Sequence, residues 1–178
     1  PGAVSAWVEL SKRFGLLPFP DLFEPAIEYA KNGFLVSPIT AQAWELCASM
    51  FKNFPDFVAC FLPKGKAPKA GEKFSNPDQA KTLKLIAETS GEAFYQGELA
   101  EKIVKHAKEN GGSMVLEDLK NHESTWEQPL SIEYKGILLH ELPPNGQGIA
   151  ALIALGIIRE LEINNYEVDS ADSLHIQI

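Results

Sequence analysis

The run Ile149 to Leu161, IAALIALGIIREL, is apolar on nearly every side. A helix of that kind is normally buried on most of its surface. It therefore demands neighbours, and more protein around it than a small helical domain supplies. What precedes it narrows the choice further. Leu130 to Tyr134 alternates with period two, Lys135-Gly136 offers a turn, and Ile137 to Leu142 continues as a strand, so the pattern predicts a hairpin. Between hairpin and helix stands ELPPNGQGIA, Glu141 to Ala150. The glycines Gly146 and Gly148 permit a tight strand-to-helix connection. The free N–H groups at the start of the Ile149 helix would face an anion or an oxygen there. Asn145, Gly146, Gln147 and Gly148 are thus candidate substrate-binding residues, against the plainer reading of a rigid, closely packed link.

Upstream of Trp126 the pattern is helical. Ala3 to Phe14 carries apolar residues at helical spacing and stops at Gly15. The LPFPD segment reads as a turn. Leu22 to Asn32 follows, with Pro25 in its first turn and Gly33 as its stop. Ser37-Pro38 reads as a cap and first position of a helix to Phe51. A short piece covers Asp56 to Phe61. Leu62 to Lys73, rich in Lys, Gly and Pro, reads as an exposed excursion. Helices are expected over Asn76 to Thr89, over EAFYQ between Gly91 and Gly97, over Leu99 to Asn110, and over Leu116 to Asn121. A last helix, capped by Asp169 or Ser170, runs to Ile178. The fold class is α+β: a mostly helical lobe with one hairpin.

With 178 residues, 45% hydrophobic and 22% charged, the chain can bury a core without staples. Its net charge of −8 argues against nucleic acid or an anionic membrane surface as a partner. No stretch is long enough to span a bilayer. The two cysteines, Cys47 and Cys60, sit in apolar context and read as buried free thiols. The chain opens on PGAVSAW and stops on an apolar periodic residue, so both ends read as boundaries of a segment cut from something longer.

Chemistry is sparse. There is no G-x-S-x-G elbow, and no G-K-[ST] follows PPNGQG, whose G-x-G alone is no dinucleotide fingerprint. His106, His122, His140 and His175 are scattered and predict no metal site. His106 reads as exposed. His140, at a strand end beside the loop, is the histidine to inspect for function. The carboxylate pairs Glu98/Glu101, Glu117/Asp118 and Glu160/Glu162 have basic neighbours and read as solvated faces.

Taken in order, the segments resemble the large-subunit portion of gamma-glutamyltranspeptidases, members of the N-terminal-nucleophile hydrolases. The stretches that carry the resemblance are PGAVSAW, RFG with LLPF, EPAIEYAKNGF with Val36, FLPKGKAPKAGE, PDQAKTLKLIAE and AFYQGELAEKIV. They continue through the Gly111 to Leu119 run ending in EDL, EYKG at Glu133 to Gly136, and ELPPNGQGIAAL. The resemblance covers almost the whole chain. It implies an αββα fold of which residues 1–178 form part of one domain, truncated at both ends. It also implies a self-cleaving precursor whose small-subunit portion is the partner of this one. The small subunit's N-terminal threonine would carry the gamma-glutamyl group of glutathione or a related compound to water, an amino acid or a peptide.

No metal or organic cofactor is implied. Thr40, Thr82, Thr89 and Thr125 lack the context of the family's nucleophile. Arg13 and Arg159 do not match its substrate-carboxylate arginine. No catalytic residue therefore transfers, and the segment alone is expected to be inactive. Related enzymes that act as cephalosporin acylases or process poly-gamma-glutamate share the pattern. A non-catalytic helical interaction module is the alternative from a different class.

Overall fold

The computed structural model describes residues 1–161 and 163–178. It divides into two compact units, Pro1–Ser124 and Thr125–Ile178. The first is all helix but for one minimal strand pair. The second is a hairpin with helices. Glu160 is described, but its expected companion Glu162 lies outside the described residues.

In the first unit, α1 (Ala3–Phe14) ends where the Gly15 N–H meets Ser11 O. A 3₁₀ turn over Phe19–Phe23 occupies the LPFPD stretch and leads into α2 (Glu24–Asn32), so helix proper begins later than the apolar spacing suggests. Gly33 ends α2 at φ +84°, and its N–H closes on Tyr29 O. A Cβ there would stand 2.7 Å from Phe74 O, so the backbone crossing at this point requires glycine. What crosses is a strand pair that alternation does not announce: β1 (Phe34–Leu35) against β2 (Lys73–Phe74), antiparallel, Phe34 opposite Phe74. Two-residue strands are too short for a period-two pattern to register.

The pair closes off the Lys-rich excursion. Helix α3 (Pro38–Phe51) begins on the Ser37 hydroxyl, which accepts from Thr40 N, and α4 (Pro55–Phe61) follows. Trp44 Nε1 donates to Phe61 O at 3.0 Å, and the Trp44 and Phe61 rings both meet Phe74. Cys47 is half-buried, whereas Cys60 is exposed, correcting the reading of two buried thiols. The short α4 packs through its phenylalanines, leaving Cys60 outside with its Sγ accepting from Asn76 Nδ2 at 3.2 Å.

Asn76 also caps α5 (Pro77–Glu88), its Oδ1 accepting from Gln79 N at 3.1 Å, while its own N–H donates to Ala30 O. This one side chain thus starts a helix and touches α4. Next come α6 (Glu92–Gln96), α7 (Glu98–Glu109) and α8 (Leu116–Lys120). α7 presents two faces to the interior. Leu99 joins Val4, Phe23, Ile86 and Ala87 in one cluster. Ala100 and Val104 join Leu119 in a second, with Ile103 and Met114 around it. Burial of these side chains is the main favourable term, each large one worth about 1.5–3 kcal/mol.

In the second unit, β3 (Leu130–Tyr134) pairs with β4 (Ile137–Glu141), Ile132 opposite Leu139. Lys135 (φ 51°) and Gly136 (φ 78°) form the turn, both positive as a two-residue type I′ connection requires. Helix α9 (Gly148–Glu160) lies on this ribbon, with Gly156 close to Ile132. Only Leu152 in it is buried; Ile153 and Ile157 are 58% and 56% exposed. The expected burial on most sides is therefore absent here. A two-stranded ribbon is wide enough to cover one face of a helix and no more. Ser170, rather than Asp169, caps α10 (Ala171–Gln177), its hydroxyl accepting from Ser173 N.

Candidate functional site

The loop between β4 and α9 is short and tight. Asn145, Gly146 and Gln147 are exposed, and Gly148 is half-buried. Gln147 stands at the N-cap position without a side-chain cap, and its carbonyl accepts from Ala150 N at 2.9 Å. Gly148 is pressed against the end of β4: a Cβ there would lie 2.6 Å from Glu141 Oε2 and 2.7 Å from Glu141 Cβ. The glycine is thus required by close approach.

The contact also has an electrostatic side. It brings the Glu141 carboxylate to the start of α9, where a negative charge complements the helix dipole. The end of the helix is already faced by an acid from its own chain. A ligand reaching Asn145 to Gly148 meets that carboxylate together with the exposed amides of Asn145 and Gln147. Such a surface suits an ammonium or an N–H donor better than a carboxylate or phosphate.

The structure brings Asn145, Gly146, Gln147 and Gly148 together, as any contiguous loop must. His140 does not join them through a bond. It is exposed, sits opposite Ser131, and by strand alternation points to the other face from Glu141.

His106 is exposed, 3.7 Å from the Asp56 carboxylate. Glu98 ion-pairs with Lys102, and a hydrogen bond from that lysine, then its charge, holds the Glu98 carboxyl below the usual range. Asp78 is held low in the same way by Lys81 at 2.8 Å. Arg159 pairs with Glu160. All these groups are solvent-facing. Among the described residues no group of three or more His, Cys, Asp or Glu side chains could hold a metal ion, and no helix is long and apolar enough to cross a membrane.

One polar constellation has no signal in the sequence. Ser5 Oγ lies 2.8 Å from His122 Nε2 and 2.6 Å from Ser124 Oγ, although the partners are 117 and 119 residues away. Neither spacing nor motif links such residues. A Ser–His contact invites a nucleophile reading, but among the described residues His122 makes no ion pair that would orient it as a base.

The sequence model of the gamma-glutamyltranspeptidase family matches residues 1–178, and the chain belongs to that family. It is 36% identical, over 178 residues, to the glutathione hydrolase-like YwrD proenzyme of Bacillus subtilis (strain 168). That match covers 100% of this chain and 34% of the relative. Among solved structures, the cephalosporin acylase from Bacillus halodurans superposes with a TM-score of 0.89 at 42% identity. It covers 100% of this chain and 34% of that one. The gamma-glutamyltranspeptidase of Helicobacter pylori gives the same TM-score at 29% identity, covering 99% and 51%. The chain therefore spans about a third of the length of the first curated relative it matches. The α+β, mostly helical segment seen here recurs inside longer enzymes.

Proposed function

We propose that residues 1–178 are a large-subunit segment of a gamma-glutamyl hydrolase or transferase precursor, both compact units being parts of one αββα domain. The precursor cleaves itself, and the N-terminal threonine of the small subunit becomes the nucleophile. A threonine hydroxyl needs an adjacent base, and its own free α-amine supplies one. The threonine oxygen takes the gamma-glutamyl group of glutathione or a related compound as the amide C–N bond breaks and the amine leaves with the hydroxyl proton. Water or an amino-acid or peptide acceptor then breaks the ester and returns the proton to the threonine. No metal or organic cofactor takes part. The observation that carries this reading is the family match along the complete chain. The uncovered Ile153 and Ile157 face of α9 supports it, because a longer protein would bury that face.

In this reading Asn145, Gly146, Gln147 and Gly148 border the substrate pocket. With Glu141 beside them, they receive the α-ammonium end of a gamma-glutamyl donor. The chain by itself is inactive, since none of its threonines is the nucleophile. The test is production of the complete precursor. Maturation into two bands, with release of p-nitroaniline from a gamma-glutamyl anilide, is expected; residues 1–178 alone should release none. A precursor that stays in one piece and is inert would refute the proposal. Asn145→Ala and Gln147→Ala in the mature enzyme should raise KM several-fold with kcat little changed, the signature of lost ground-state binding.

A second reading has its own support: the 42% identity to a cephalosporin acylase. Comparing kcat/KM of the matured enzyme for a gamma-glutamyl anilide and for an acylated cephalosporin separates the two.

A further inference from the structure

We propose that Ser5, Tyr95, His122 and Ser124 form a polar clasp that fastens the last residues of the helical unit to its first turn, with His122 donating through Nε2. Once the single proton of the Ser5 hydroxyl is assigned, its valence sets the direction of the other bonds. Ser5 Oγ has three neighbours: Gly2 O at 3.0 Å, His122 Nε2 at 2.8 Å and Ser124 Oγ at 2.6 Å. A hydroxyl offers one proton and two lone pairs. Gly2 O can only accept, and Ser5 donates to it. With that proton given to Gly2 O, the clasp assigns both remaining neighbours as donors to Ser5, which places a proton on His122 Nε2. Every bonding position of the hydroxyl is used. His122 in this state holds Ser5 and cannot take its proton, which makes the pair a fastening and not a nucleophile with its base.

Tyr95 completes the clasp. Its ring stacks on the His122 ring, with centroids 5.3 Å apart and planes 11° from parallel. Its hydroxyl accepts from Ser5 N at 2.9 Å and donates to Pro1 O at 2.7 Å. One tyrosine on α6 therefore holds the start of α1 and the imidazole that reaches back to it. Ser124 is the last residue of the helical unit, so the clasp fixes where the chain leaves that unit.

The charged groups lining the hollow around the cluster are Glu9 and Lys12 of α1, Glu92 of α6, Lys120 of α8, and Glu123. Both the neutral Nε2–H tautomer and the imidazolium donate from Nε2. The clasp should accordingly hold in either of those two forms.

Amide hydrogen exchange on the complete 178-residue chain tests this. Ser5→Ala and His122→Phe, the second keeping a ring against Tyr95, should speed exchange about tenfold at residues 5–6 and at residue 122 together, whose amides are hydrogen-bonded. Protection of Ala100 to Val104 should stay unchanged. His122→Gln, which restores an N–H donor, should recover most of the protection. In the unaltered protein, exchange at residue 122 relative to Ala100 to Val104 should be constant between pH 5 and 8 after correction for intrinsic rates. Ser124→Ala, which leaves α1 and the ring stack intact, should loosen the same two segments. Loosening of one segment without the other, equal loss of protection in α7, no change at either place, no recovery with glutamine, or opening that varies across that pH range would each overturn the clasp.

Discussion

Gly148 shows how a single residue decides the geometry of the candidate site. The space where its side chain would begin is filled by Glu141. Gly148→Ala should destabilise the hairpin unit by about 1–3 kcal/mol, the usual cost of forcing atoms into a filled space. Glu141→Ala should return part of that loss in the double variant; additive losses in urea denaturation would mean the two do not touch. Cys60 offers a second check. Being exposed while Cys47 is half-buried, it should react with a thiol reagent first, and Cys60→Ser should remove the fast phase. The sequence suggests the opposite for Cys60. An apolar neighbourhood in sequence does not say which side of a short helix faces water.

Elements whose ends carry a chemical mark are legible in the sequence itself. Ser37, Asn76 and Ser170 each start a helix by accepting a backbone N–H, and Pro38 and Pro77 follow two of them. Lys135-Gly136 marks the hairpin. Asn76→Ala should therefore lower stability by about 1 kcal/mol in thermal or urea melts. The exposed pairs Asp78–Lys81 and Glu98–Lys102 should matter less. Both carboxyls are depressed by their lysines. Whatever stabilisation they give is present above the ordinary carboxylate range and lost as pH falls through the lowered values. Lys102→Met should thus flatten the acid limb of the stability profile, shift the neutral-pH midpoint less than Asn76→Ala does, and lose its effect in high salt.

Contacts between distant residues leave no such mark. The β1–β2 pair and the Ser5–His122 contact join segments that share no pattern. The Asn145 to Gly148 loop is visible as a motif, but the acid at its back, Glu141, comes from packing.

At the scale of the whole molecule, the exposed stripe of α9 is the feature with the widest reach. Ile153→Asp should be tolerated by the 178-residue chain, where the side chain already meets water. In the precursor proposed above, the same change is expected to bury an unpaired charge, at a cost of several kcal/mol, and to block maturation. Circular dichroism of the one and the band pattern of the other check this. Equal tolerance in both would mean that α9 stays uncovered in the longer protein. The two compact units also bear differently on function. The helical one supplies cores and caps, and the smaller one carries the loop that the proposed function uses.

The clasp has a consequence for biosynthesis. Ser5 is made early, yet its partners His122 and Ser124 are among the last residues of the helical unit. Closing so long a loop is entropically costly and slow, and it cannot begin until those residues have left the ribosome. The contact of Ser5 with those two residues must wait through most of the unit's translation. The clasp of the helical unit is then completed only after the unit's last residues are made, its beginning fastened to its end.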